Sequence, residues 1–135
     1  MFELNKFSLR GKTAIVTGGG TGIGKAIALG FAMAGAKVAI TSRKNANLVA
    51  TANEIKSLGG EALPVSAHLG KMDEIIQMVS TVRSKLGTID ILVNNAGANP
   101  ALASVLNTEE RLWDTVMNVN LKGIFFISQA VARGE

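Results

Sequence analysis

The sequence predicts an α/β domain: a doubly wound parallel β-sheet of four strands in the order 3-2-1-4, with helices on both faces. Two observations carry this expectation. Short β-branched runs alternate with helical patterns at every step after residue 12, the signature of successive strand–helix–strand units. The first unit turns on a glycine cluster, Thr17-Gly18-Gly19-Gly20-Thr21-Gly22-Ile23-Gly24, set between a strand-like run and an Ala-rich helix. Right-handed crossovers then favour the stated strand order.

Each element has its own justification. Phe7 and Leu9 are expected to pack down in a lead-in, and Arg10-Gly11-Lys12 turns into the first strand, Thr13 to Thr17. The first helix is expected from about Gly22 to Ala34, because Ile23, Ile27, Phe31 and Ala34 recur at helical spacing; Gly35 then stops it. Lys37 to Thr41 is the second strand. Asn45 or Asn47 can cap the next helix, about Ala46 to Leu58, which Gly59-Gly60 ends. Glu61 to Val65 reads as a third strand, and Pro64 marks it as an edge. Met72 to Leu86 forms a helix with Ile75, Ile76, Val79 and Val82 on one side, closed by Gly87. Ile89 to Val93 is the fourth strand. A loop through Asn99-Pro100 leads to a helical region from about Thr108 to Ala132, with Thr108 as its N-cap and Glu109 and Glu110 suited to the positive end of the helix dipole.

Bulk properties exclude several classes. The 135 residues fit one domain spanning 1–135, and 47% hydrophobic content supplies a core. There is no cysteine, so disulfides and thiolate zinc sites are excluded; no metal site is expected, and a cytoplasmic setting fits. No signal peptide and no membrane-spanning stretch is expected. The net charge of +4 comes from basic residues scattered singly, with few aromatics, which describes a solvated surface and not a nucleic-acid site.

The glycine turn points to a ligand. A strand, a tight glycine turn and a helix N-terminus aim backbone N–H groups at one spot, which suits a pyrophosphate. The spacing is Gly-x-x-x-Gly-x-Gly, not the commoner Gly-x-Gly-x-x-Gly. In such folds the end of the second strand reads the adenosine ribose: a carboxylate suits NAD, and a cation suits the 2′-phosphate of NADP. No Asp or Glu stands between Glu3 and Glu54, and the strand ends Ser42-Arg43-Lys44. Arg43 can make paired, charge-assisted bonds to a phosphate, so NADP(H) is expected over NAD(H).

Two further landmarks are Asn94-Asn95-Ala96-Gly97, directly after the fourth strand, and Asn118-Val119-Asn120 in the last helical region. With the glycine turn, in this order, they make residues 8–132 resemble the first part of the short-chain dehydrogenase/reductase family, a Rossmann-type fold. The resemblance implies an NAD(P)(H)-dependent oxidoreductase of small carbonyl or alcohol substrates. It implies that Gly18, Thr21, Gly22, Ile23 and Gly24 hold the pyrophosphate, and that Ser42, Arg43 and Lys44 read the ribose phosphate. Asn94, Ala96 and Gly97 would line the cofactor ribose and support the sheet, and Asn120 matches the family's catalytic Asn. Where the family commonly has Asp after the third strand, this chain has Ala67-His68-Leu69; His68 is expected to bond the adenine amine through a ring nitrogen. The run Ala67 to Lys71, with Asn99-Pro100, looks like the NADP-dependent carbonyl and retinal reductase branch.

The resemblance also implies a Ser and a Tyr-x-x-x-Lys beyond the Asn120 helix, and this sequence contains no tyrosine. Little or no turnover is therefore expected from these residues alone. The alternative is a non-catalytic nucleotide-binding or self-associating half-domain. An open fourth-strand edge at Ile89 to Val93 and a last helix apolar on most sides predict a homodimer or larger assembly.

Overall fold

The first strand, β1 (Thr13–Thr17), is buried along its whole length. It is flanked on both edges and covered on both faces, which is why a continuous apolar run suits it. The structure is a computed structural model and describes residues 4–134. Four parallel strands lie in the order β3-β2-β1-β4, as the sequence predicts, with β2 at Lys37–Ser42, β3 at Glu61–Ser66 and β4 at Ile91–Val93. In register, Ile15 stands between Ala39 and Leu92, and Ile40 stands beside Pro64 on the edge strand.

Alternation along β1 divides the core in two. Val16 joins Val38, Ile40, Leu48, Ala52 and Ile55 beneath α1 (Gly22–Met33) and α2 (Asn45–Ser57). Ile15 joins Ala39, Ile75, Val79, Val82 and Ile127 on the other face, beneath α3 (Met72–Leu86) and α5 (Ile124–Ala132). A shorter helix, α4 (Glu110–Met117), precedes α5, and the two are joined by a wide π-helical turn over Asn118–Gly123. Arg83 of α3 donates to the Ala130 and Val131 carbonyls (2.8 and 2.9 Å) in the last turn of α5. Among the described residues no helix is long and apolar enough to cross a membrane.

Several expectations need correction. Ile23 and Ile76 are exposed (75% and 59%), so the buried stripe of α1 runs through Gly24 and Ala28, and that of α3 through Ile75, Met78, Val79 and Val82. Phe7 is also exposed, and only Leu9 of the lead-in pair packs on the core. Neither Asn45 nor Asn47 caps α2; Lys44 holds the N-cap position with no side-chain bond. Thr108 does not cap α4 either, because its hydroxyl donates to the Ser104 carbonyl (2.8 Å) and the helix begins two residues later. Strand β4 starts late at Ile91 because the Asp90 carboxylate accepts the Thr13 N–H (2.9 Å), standing in for a backbone acceptor.

The neighbouring isoleucines of α3 give a direct test of its buried face. Ile75→Ala should cost about 2–5 kcal/mol of stability, whereas Ile76→Ala should stay within about 0.5 kcal/mol. Denaturant midpoints of the two variants check this.

Candidate functional site

The carboxyl ends of the strands frame an open cleft of about 950 Å³. Its floor is the turn between β1 and α1, and that turn is pinned from three sides. The Gly18 N–H donates to the Thr41 carbonyl (2.7 Å), the Thr51 hydroxyl of α2 donates to the Gly20 carbonyl (3.1 Å), and Asn95 Nδ2 donates to the Gly18 carbonyl (3.3 Å). With those carbonyls engaged, the first amides of α1 remain: Thr21 stands at the N-cap without a side-chain bond. Gly18 and Gly22 have positive φ (66° and 55°). A Cβ on Gly24 would run into the Gly18 carbonyl oxygen and Asn95 Nδ2, so only glycine lets α1 start so close to the strand end.

The opposite wall depends on one hydroxyl. Thr17 is buried; its Oγ1 donates to the Val93 carbonyl (3.2 Å) and accepts the N–H groups of Asn95 (3.0 Å) and Ala96 (2.9 Å). Asn95 returns the contact, its Nδ2 donating to the Thr17 carbonyl (3.1 Å). The loop after β4 is thus stitched to the end of β1. Further along that loop, Asn120 clamps Ala98 at both backbone groups: Oδ1 accepts the N–H and Nδ2 donates to the carbonyl, each at 2.7 Å. The π-helical turn carries Asn120, and such wide turns recur at functional sites. Gly123 closes that turn against the Leu69 carbonyl, where a Cβ has no room.

Most of the residues expected from the sequence meet in this cleft. Gly18, Thr21, Gly22 and Ile23 line its floor, Ser42, Arg43 and Lys44 the end of β2, His68 and Leu69 the end of β3, and Ala96 and Gly97 the far wall. Gly24, Asn94 and Asn120 do not line it. Gly24 is buried beneath the turn, Asn94 donates to Ser128 Oγ of α5 (3.2 Å), and Asn120 holds the wall from behind through Ala98. His68 is held at the end of β3 by its own loop, its Nδ1 accepting the Gly70 N–H (3.0 Å). Gly20, Asn47, Asn95, Ala98 and Val119 also line the cleft but were not among the expected site residues. The strand-ending Thr17 was the signal available for the hydroxyl joint, since a polar residue at a buried strand end needs a partner.

A parallel sheet with a glycine turn at its central strand and a cleft across the strand ends is the architecture of the Rossmann-type α/β folds. Comparison with known proteins narrows this. The short chain dehydrogenase family profile matches residues 12–134, and the chain belongs to that family. It is 41% identical over 133 residues to a 2-dehydro-3-deoxy-D-gluconate 5-dehydrogenase of Escherichia coli, covering 96% of this chain and 50% of that protein. A short-chain dehydrogenase/reductase structure from Mycobacterium marinum superposes with a TM-score of 0.93 at 38% identity, covering 99% of this chain and 54% of that one. A metagenomic short-chain oxidoreductase in complex with NADP superposes at 0.89 with 35% identity, covering 93% of this chain and 57% of that one. The chain spans about half the length of the curated relatives it matches.

The hydroxyl joint can be tested by removing the oxygen alone. Thr17→Val removes the acceptor of the Ala96 N–H and one of the two acceptors of the Asn95 N–H, which also donates to the Val93 carbonyl (3.1 Å), and should cost about 1–3 kcal/mol, whereas Thr17→Ser should lose less than half as much. Chemical denaturation of both variants measures the difference.

Proposed function

We propose that this chain binds NADP(H) in preference to NAD(H) and forms the nucleotide-holding part of an oxidoreductase acting on small carbonyl or alcohol substrates. The observation that carries this reading is the wall at the end of β2: Ser42, Arg43 and Lys44 lie together there, and among the described residues no carboxylate lines the cleft. The residues present suit such a cofactor. The glycine turn is open where a Cβ would crowd it, and the first amides of α1 offer donors to a pyrophosphate. The Arg43 guanidinium is the donor that a 2′-phosphate needs, Asn47, at the start of α2, adds an amide beside it, and the Ser42 hydroxyl, which donates to the Lys44 carbonyl (3.4 Å), shapes the strand end.

A bound nicotinamide supplies the redox chemistry, and the residues of this chain bind and orient it. On this reading Ala96, Gly97 and Ala98 form the wall at the nicotinamide end. Asn120 acts as a positioning residue there, by fixing Ala98. These 135 residues contain no tyrosine, so the proton-transfer group that the family resemblance implies is not supplied by them. The NADP complex of the metagenomic relative supports the cofactor reading, and the Ala67 to Lys71 run supports a place beside the carbonyl and retinal reductases. Self-association belongs to the same proposal. Leu121 and Phe125 are 60% and 61% exposed, and β4 pairs only with β1 among the described residues. Sedimentation velocity should show a concentration-dependent dimer or larger species, and a monomer at every concentration overturns that part.

Fluorescence titration with NADPH and NADH tests the cofactor reading. The chain should bind NADPH more tightly. Arg43→Ala should weaken NADPH by roughly 10–100-fold, the worth of a charge-assisted phosphate contact, and leave NADH within about threefold. No binding of either dinucleotide to folded protein, or an equal loss for both, overturns the reading.

A further inference from the structure

The strand order gives the cleft a direction. On the reading above, the pyrophosphate lies at the β1 turn and the ribose at the end of β2, so the base of the same nucleotide comes next, at the end of β3. His68 and Leu69 line the cleft there. The hydrogen-bonding character of His68 is set by the fold. Its Nδ1 accepts the Gly70 N–H (3.0 Å), which only an unprotonated nitrogen can do, so the ring proton is on Nε2. Nε2 has no partner in the protein and is not among the buried unpaired atoms, so it meets solvent as a donor. The Glu74 carboxylate of α3, bonded to this loop, does not change that character. Glu74 accepts the His68 backbone N–H (3.3 Å), pairs with Lys71 (3.7 Å) and does not line the cleft.

We propose that His68 makes the base end of the cleft a hydrogen-bond donor site that takes a 6-oxopurine as readily as adenine. The inference rests on the dinucleotide reading of the same cleft. Adenine presents an amine donor at position 6 and a ring acceptor at N1, whereas hypoxanthine presents an oxygen acceptor at position 6 and a donor at N1. An Nε2–H donor finds an acceptor on either base. A carboxylate at this position would accept from the adenine amine and repel the hypoxanthine oxygen, so it would select adenine. Among the described residues, no carboxylate lines the cleft at the end of β3 to make that selection.

The test is a pair of titrations of the whole chain, with NADPH and with its hypoxanthine analogue, in wild type, His68→Asn and His68→Asp. Both replacements can accept the Gly70 N–H through a side-chain oxygen two residues before it, so both can keep the loop. Asn retains donors for the base, whereas Asp presents only acceptors. Wild type and His68→Asn should bind the two dinucleotides within about threefold of each other, and His68→Asp should disfavour the hypoxanthine form by about tenfold or more. A wild-type preference for adenine of about tenfold, or an unchanged ratio in His68→Asp, overturns the inference while leaving the dinucleotide reading intact. Failure of both dinucleotides to bind folded wild type overturns the reading and the inference together.

Discussion

The Thr17 hydroxyl is the joint on which the site depends. One oxygen ends the central strand, closes β1 onto the Val93 carbonyl, and receives the two amides that begin the loop after β4. Both walls of the cleft take their position from it, because Asn95, fixed by the same joint, also holds the Gly18 carbonyl of the glycine turn. Such a joint has to be satisfied completely. The hydroxyl is buried, and its loss leaves the Ala96 amide without its protein acceptor. The glycines of the turn follow from the same closeness: Gly24 has no space for a Cβ because Asn95 and the Gly18 carbonyl are already there.

A second constraint carries the far wall. The stretch after α4 must pass the loop that follows β3 and still direct Asn120 at Ala98. A regular α-helix through residues 118–123 would advance every side chain at a fixed angle. The π-helical turn inserts one extra residue and changes that angle. Gly123 then lets the backbone close on the Leu69 carbonyl, and Val119 reaches the Gly70 region from the same turn. The loops after β3 and β4 are therefore held by one helical irregularity. Arg83 secures the helix beyond it by capping the α5 carbonyls.

How much of this was legible in the sequence follows from the range of each interaction. Strand order, the glycine turn and the cationic end of β2 were readable because each rests on local pattern: β-branched runs, glycine spacing, and Ser42-Arg43-Lys44 in place of an acid. Helical periodicity was less reliable at the rims. Ile23 and Ile76 fit an apolar stripe by spacing, yet both are exposed, since the stripe is decided by what faces the helix and not by hydrophobicity alone. Capping failed for α2 and α4 for a related reason. Asn45 and Asn47 fall inside the first turn, past the N-cap at Lys44, and the Thr108 hydroxyl turns to the Ser104 carbonyl, so none of these side chains caps its helix. The π-helical turn had no local signature beyond Gly123, and the Thr17 joint spans more than seventy residues of sequence.

The two ends of the cleft are built on different principles, and this determines what change each can tolerate. Toward β2 and β3 the lining is made of side chains that project from strand ends: Ser42, Arg43, Lys44 and His68. Arg43 and Lys44 are exposed and make no ion pair among the described residues, so replacing them alters the surface of the cleft and little of the fold. Toward β4 the lining is largely backbone at Ala96, Gly97 and Ala98, held from behind by Thr17 and Asn120. A change there moves the wall itself and removes hydrogen bonds that the loop cannot replace. Specificity can therefore vary at the first end at little cost in stability, while the geometry of the second stays fixed.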